Sequence, residues 1–339
     1  MAFDLRDLTV PVVGAPMAGG PSTPGLAAAV SDAGGLGFLA AGYLTPERLV
    51  EDIDAARGLG SGPLGVNLFV PQHSVGVPAR LESYREALTP WAAHFGIEPG
   101  APRADDDYWT AKLEILLDTR PQVASFTFGL PPAVVLKRLR SAGVSTLVTV
   151  TTVAEARAAS AAGADALAVQ GPEAGGHRGT FNPAARPAEQ PLPELLSAVA
   201  SAVQLPLVAA GGIVDAADAG ALMRRGALAV QVGTALLLAD EAGTNAVHRA
   251  ALHDDQFVET TVTRVFSGRY ARGLTNAFIW EFDAIAPLGY PEVHYMTSPI
   301  RRAAVAAGDP HGTNLWAGTR FRQAQAGPAA DIVSGFVAG

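Results

Sequence analysis

The sequence predicts a TIM barrel, a closed (β/α)8 fold, and three observations lead there. Short apolar runs recur along the chain, most of them roughly 20 to 30 residues apart, about one βα unit. The runs are nearly continuous rather than alternating, as parallel strands covered on both faces are. Helix-start signals fall in the gaps between them.

Taken in order, the eight strands are expected at 10–16, 36–41, 64–69, 123–128, 146–150, 166–170, 207–210 and 229–234. Thr23-Pro24 and Thr45-Pro46 each set an N-cap hydroxyl before a proline suited to the first helical position. Thr152 to Glu155 has capping-box spacing, and Gly163 is placed to end that helix. Residues 71–120 exceed the repeat and read as an insertion after the third strand. Its run Asp105-Asp106-Asp107 is expected to be a solvated loop or helix start in preference to a metal site. The chain beyond 236 looks helical around 243–252 and then irregular. It reads as the eighth helix plus a cap over the barrel mouth, dividing the chain into a barrel at 1–240 and a cap at 241–339.

Composition narrows the function. Of 339 residues, 49% are hydrophobic and 17% charged, enough apolar content for a large core and too much for overall disorder. There is no cysteine, which excludes disulfides, a thiolate nucleophile and cysteine-ligated metals. The net charge is −8 with no basic stripe, so neither nucleic acid nor an anionic membrane is an expected partner. The N-terminus carries Asp4 and Asp7 where a signal peptide would be basic, and a cytoplasmic location is expected. The uncharged run 195–214 is broken by Pro206 and Gly211-Gly212, so it parses as a buried helix and a strand, not a membrane span.

Barrel chemistry belongs at the C-terminal strand ends. The seventh and eighth strands end Ala210-Gly211-Gly212-Ile213 and Gln231-Val232-Gly233-Thr234. Glycines there let backbone amides approach a phosphate, and Thr234 adds a hydroxyl donor. Gly35-Leu36-Gly37-Phe38-Leu39-Ala40 fits the loose dinucleotide fingerprint, but it lies in a strand where no helix opens, so it is set aside. Of the seven histidines, six have no carboxylate or histidine at a persuasive metal-ligand spacing, and most of these read as surface or packing residues. His177 differs, because two glycines after the sixth strand can present it to a ligand in the mouth, where an imidazole suits proton abstraction near neutrality.

At these residues the sequence resembles the nitronate monooxygenase (2-nitropropane dioxygenase) family. The resemblance rests on Ala15-Pro16-Met17-Ala18-Gly19-Gly20, Gln170-Gly171-Pro172-Glu173-Ala174-Gly175-Gly176-His177-Arg178-Gly179 and the two glycine turns. Ser267-Gly268-Arg269-Tyr270-Ala271-Arg272-Gly273 and Asn314-Leu315-Trp316-Ala317-Gly318 extend it to the end of the chain. The resemblance implies a TIM barrel with non-covalent FMN held by Pro16, Met17, Asn67, Gln170, Gly175, Gly176, Gly211, Gly212, Gln231, Val232, Gly233 and Thr234. It implies oxidation of alkyl nitronates such as propionate 3-nitronate with O2, through one-electron transfer to the flavin, giving a carbonyl compound and nitrite. His177 is implied as the base for a neutral nitroalkane or the group that stabilises a nitronate.

The sequence also departs from the family. Thr127 stands where many members carry histidine, and Tyr290, Tyr295 and Arg301 are only the nearest equivalents of their pocket tyrosines and lysine. Arg269 and Arg272 read either as attractors of a substrate carboxylate or as solvated cap residues, and Trp316 as a packing anchor. Two alternatives stay open: an NAD(P)H-dependent FMN reductase of quinones or enoyl thioesters, and a non-catalytic flavin- or phosphate-binding protein. Either a monomer or a homodimer fits.

Overall fold

The computed structural model describes residues 3–337. In chain order its elements are β1 (Val12–Gly14), α1 (Pro24–Asp32), β2 (Gly37–Ala40), α2 (Pro46–Leu59), β3 (Leu64–Phe69), α3 (Pro78–His94), α4 (Trp109–Thr119) and β4 (Val123–Thr127). Then come α5 (Ala133–Ser141), β5 (Ser145–Val150), α6 (Val153–Ala162), β6 (Ala166–Gln170), β7 (Gly176–His177), α7 (Leu192–Ala202), β8 (Leu207–Ala210), α8 (Ala216–Met223) and β9 (Ala229–Val232). The chain ends with α9 (Ala246–Ala251), β10 (Thr260–Thr263), β11 (Ala271–Leu274), α10 (Ala277–Phe282), α11 (Glu292–Ala306) and α12 (Ala329–Ser334).

The expected caps form. Thr23 accepts from the Leu26 N–H, Thr45 from Arg48 and Thr152 from Glu155, with Pro24 and Pro46 in the first turns. Gly163 ends α6 at φ 92°. The run 195–214 divides into α7 and β8 as expected, and among the described residues no helix is long and apolar enough to cross a membrane.

Eight parallel strands pair in the order β1-β9-β8-β6-β5-β4-β3-β2. A parallel bridge between Val13 and Leu36 joins the two outermost strands and makes the sheet a barrel. Both strand faces are apolar, as the sequence pattern requires. Alternate residues such as Val13, Phe38, Leu147, Ala168 and Val208 fill the barrel interior with Leu5, while Val12, Leu39, Val148, Leu167 and Ala209 pack against the outer helices.

Two assignments differ from expectation. The segment 71–120 is not all insertion, because α4 packs on β3 and α2 as the third outer helix. Only α3 is added, and it builds a second core with α10 and α11 from Tyr84, Leu88, Phe278, Phe282, Val293 and Met296. The 243–252 pattern is α9, but the helix that packs beside α1 is α12, at the far end of the chain. Ala329 and Val333 supply its apolar face at i and i+4, and Phe336 just beyond its end joins the same core. The chain therefore leaves the barrel, builds the cap and returns.

The cap reaches the barrel mouth as a three-stranded sheet, β10-β11-β7. In it His177 pairs with Ala271 and Gly176 with Arg272. The expected site histidine is thus a strand residue, held by main-chain bonds to the cap.

Candidate active site

A cavity of about 590 Å3 opens at the C-terminal ends of the barrel strands. Every residue expected from the sequence lines it: Pro16, Met17, Asn67, Gln170, Gly175, Gly176, His177, Gly211, Gly212, Gln231, Val232, Gly233 and Thr234. Its size is that of a pocket for a cofactor or drug-sized ligand.

One end is built for an anion. Gly211 and Gly212 have φ of 118° and 69°, and a Cβ on Gly212 would lie 2.9 Å from Glu173 Cβ. Among the described residues the N–H groups of Gly212, Ile213 and Gly233 donate to no protein acceptor. Arg320 pairs with Asp218 and donates to the Gly212 carbonyl at 3.4 Å, which fixes the turn. Thr234 Oγ1 accepts from the Gly318 N–H at 2.9 Å, so its own proton stays available. Unpaired amides, a hydroxyl and a nearby guanidinium together suit phosphate oxygens.

The middle of the cavity is polar and braced. Asn67, on β3, is buried and donates through Nδ2 to Ser125 Oγ at 2.9 Å and to Thr127 Oγ1 at 3.1 Å. Its carbonyl oxygen is left to accept from a ligand N–H. Thr127 therefore serves here as a brace for Asn67, a role open to its hydroxyl. Gln170 uses both ends of its amide on the loop that follows it, accepting from Gly179 N at 2.8 Å and donating to His177 O at 3.0 Å. Gly175 belongs to the same loop, and a Cβ there would meet Ala317 C at 2.5 Å, so the approach of the 314–318 segment requires glycine.

His177 sits above this floor. Its Nε2 lies 2.8 Å from Ser267 Oγ. Its ring is packed by Phe128 (5.4 Å between centroids), Trp316 (5.5 Å) and Tyr290 (6.1 Å). Burial, with the positive charges of Arg269 and Arg301, lowers its pKa to about 3. At neutral pH the ring is an uncharged imidazole.

The opposite wall was not legible from the sequence, and there the histidine reading needs extending. His294 and His248 are packed as expected of non-surface histidines, but both also line the cavity. His294 stacks on Tyr43 at 4.1 Å and 7°, and its Nδ1 accepts from Arg301 Nη2 at 3.2 Å. The missed signal was helical spacing, since His294, Ser298 and Arg301 stand at i, i+4 and i+7 on α11 and all line the cavity.

Other expectations divide. Arg301 faces the cavity, whereas Tyr290 stands behind it with its hydroxyl donating to Tyr43 at 3.3 Å. Tyr295 bonds Asp105 and lies beneath Arg103, outside the cavity lining. Arg269 and Arg272 lie outside the cavity lining, Arg269 buried and Arg272 half-buried. Arg269 is buried over the Phe128 ring and donates to Gln72 at 2.6 Å, and Arg272 donates to Pro172 O at 2.9 Å and to Thr260. Trp316 packs on Phe266 but also lines the cavity. Of the acidic run, Asp107 pairs with buried Lys112 at 2.8 Å. Among the described residues no cluster of three or more His, Asp or Glu side chains is placed to hold a metal.

The fold is a TIM barrel, and the cavity lies at the C-terminal mouth, the end at which barrel enzymes work. The chain belongs to the nitronate monooxygenase family, a family of oxidoreductases, whose family model matches residues 4–339. It is 41% identical to the nitronate monooxygenase of Pseudomonas aeruginosa, over 97% of this chain and 95% of that one. It is 37% identical to a probable nitronate monooxygenase of Staphylococcus aureus, over 98% and 95%. Among solved structures it resembles the nitroalkane oxidase of Streptomyces ansochromogenes, at a TM-score of 0.94 and 47% identity over 98% of this chain and 96% of that one. FabK from Thermotoga maritima is similar at a TM-score of 0.77 and 26% identity, over 98% and 94%.

Proposed function

We propose that the chain is an FMN-dependent nitronate monooxygenase, oxidising alkyl nitronates such as propionate 3-nitronate with O2 to a carbonyl compound and nitrite. The observation that carries this is the charge of the cavity wall. Its lining includes Arg301 and Arg302, which pair with no carboxylate, Arg320, which pairs with Asp218, and three uncharged histidines, and among the described residues no aspartate or glutamate. Such a wall favours anions, and a nitronate is the anion of a nitroalkane.

The residues present fit FMN. The amides of Gly212, Ile213 and Gly233 with the Thr234 hydroxyl would hold the phosphate, and the Asn67 carbonyl and the Pro16-Met17 main chain would meet the ring system. The chemistry FMN supplies when bound is acceptance of electrons from the nitronate and their delivery to O2.

The protein binds and orients the rest. Arg301 and His294 attract the anion, while Phe128, Trp316 and Phe69 exclude water around it. His177 is uncharged with a free lone pair, although burial makes it a weaker base than the near-neutral imidazole expected from the sequence. It takes the α-proton from a neutral nitroalkane or contacts a nitronate that needs no deprotonation.

The test is the visible spectrum of the FMN-loaded protein without oxygen. Loss of the oxidised flavin absorbance on adding propionate 3-nitronate, with little change on adding NADH, supports the proposal. Bleaching by NADH alone assigns a reductase, and a protein that takes up no FMN sinks both readings.

A further inference from the structure

Ser267 Oγ lies within hydrogen-bond distance of three groups: His177 Nε2 at 2.8 Å, the Arg269 carbonyl at 3.1 Å and the Arg269 N–H at 3.3 Å. The residue is buried, so its proton and lone pairs are matched chiefly by these three neighbours. A hydroxyl has one proton and two lone pairs. The Arg269 N–H occupies one lone pair. The Arg269 carbonyl can only accept, and among the described residues no other group donates to it. One arrangement satisfies all three neighbours: Ser267 donates to the carbonyl and accepts from a protonated His177 Nε2.

We infer that Ser267 is a positioning residue that holds His177 in its Nε2–H tautomer, leaving Nδ1 as the working nitrogen. Nδ1 has no protein partner among the described residues, and it is not one of the buried unpartnered atoms, so it retains access to the cavity that His177 lines. The geometry is held by the main chain. Arg178 N donates to Tyr270 O at 2.8 Å, and His177 pairs with Ala271, which ties the Ser267–Ala271 segment to the histidine strand.

The inference rests on the reading of His177 as the group that meets substrate, and it gives each nitrogen a task. With a neutral nitroalkane, the α-C–H bond breaks and an N–H bond forms at Nδ1. The C–H electron pair passes into the nitro group to give the nitronate, and the new imidazolium keeps its Nε2–H on Ser267. A preformed nitronate makes no demand on the Nδ1 lone pair. Ser267 therefore matters more for nitroalkanes than for nitronates.

The experiment is 15N NMR of the histidine-labelled holoenzyme, with His177 assigned by its loss in His177→Gln, together with kinetics on nitroethane and ethylnitronate. A wild-type His177 that is Nε2-protonated is expected. Ser267→Ala should lower kcat/KM on nitroethane about tenfold or more, with a change under about threefold on ethylnitronate. Ser267→Thr, which keeps the hydroxyl, should recover most of the loss. A wild-type Nδ1–H tautomer, or equal losses on both substrates, overturns the inference. If Ser267→Ala does not fold, the wild-type spectrum alone decides the tautomer. If neither substrate is turned over, the proposed activity fails, while the spectrum still judges Ser267.

Discussion

Arg301 donates from Nη2 to Nδ1 of His294 across 3.2 Å, and that contact decides which nitrogen of the imidazole carries a proton. A guanidinium cannot accept, so Nδ1 is a lone pair and Nε2 bears the hydrogen. Arg301 also donates to Thr297, Ser298 and Asn314, all neutral, and no carboxylate pairs with it among the described residues. Its charge reaches the cavity uncancelled, with His294 as a donor beside it.

That relationship predicts a charge-dependent loss. Arg301→Met should raise KM for an anionic nitronate about tenfold or more, while KM for the neutral parent nitroalkane changes little. Arg301→Lys should fall between, because a point charge replaces a planar fork. Steady-state kinetics on the matched pair, repeated at high salt, measures this. Equal shifts for both substrates would show that Arg301 acts through packing alone.

Acid stability follows from the buried histidines. Burial lowers the pKa of His177 to about 3 and that of His248 to about 4, and burial with Arg301 lowers that of His294 further. Unfolded, each titrates at its ordinary value of 6.5. Between those limits the unfolded chain binds protons that the folded chain does not, so stability is full above about pH 6.5 and declines as pH falls toward the folded values. Each such histidine contributes a slope of about 1.4 kcal/mol per pH unit inside its window. Urea midpoints between pH 7 and 4 should fall accordingly, and His248→Gln should flatten the decline by one histidine's share.

The barrel was readable because its rule is local. Near-continuous apolar runs such as 166–169 and 207–210 fall on β6 and β8 as expected, since burial on both faces selects apolar residues along the body of each strand. The turn at Gly211-Gly212 was readable for a similar reason, because its positive φ and close approach to Glu173 and Ala174 demand glycine. The opposite wall was not. Tyr43, His294 and Arg301 come from the β2–α2 loop and α11, far apart in sequence, and they meet only because the cap folds back over the mouth. The place of α12 was hidden as well, because a six-residue helix gives too short a stripe to outrank the 243–252 pattern.

Lys112 and Asp107 predict a second, indirect loss. Lys112 is 1% exposed and bonds Asp107 and the Ala41 carbonyl, each at 2.8 Å. Asp107 Oδ1 also accepts from Tyr43 N at 3.0 Å, holding that residue at φ 70° beneath the His294 ring. Removing one partner leaves the other charge unpaired. Lys112→Met should therefore cost about 3 kcal/mol in denaturant unfolding, and Lys112→Met with Asp107→Asn should recover part of it. In the single variant KM should rise more than kcat falls, because the disturbed element is the wall and not His177. A larger loss in the double variant than in the single would show that the pair is not the source.

Gly212 offers the cleanest test of the cofactor end. Its φ of 69° strains any other residue, and a Cβ would stand 2.9 Å from Glu173 Cβ. Substitution by alanine must therefore move the turn, and with it the Gly212 and Ile213 amides, which have no acceptor among the described residues. The strain is of order 1–2 kcal/mol, small against the stability of a barrel, so the protein should remain folded. Anion binding is another matter, because amides aimed at a phosphate lose their alignment with a shift of a few tenths of an ångström. Gly212→Ala should purify with a native far-ultraviolet spectrum and a much reduced FMN content. Titrated FMN should bind at least tenfold more weakly, and riboflavin, which has no phosphate, should be affected far less. Equal weakening for the two flavins would place the phosphate elsewhere in the cavity.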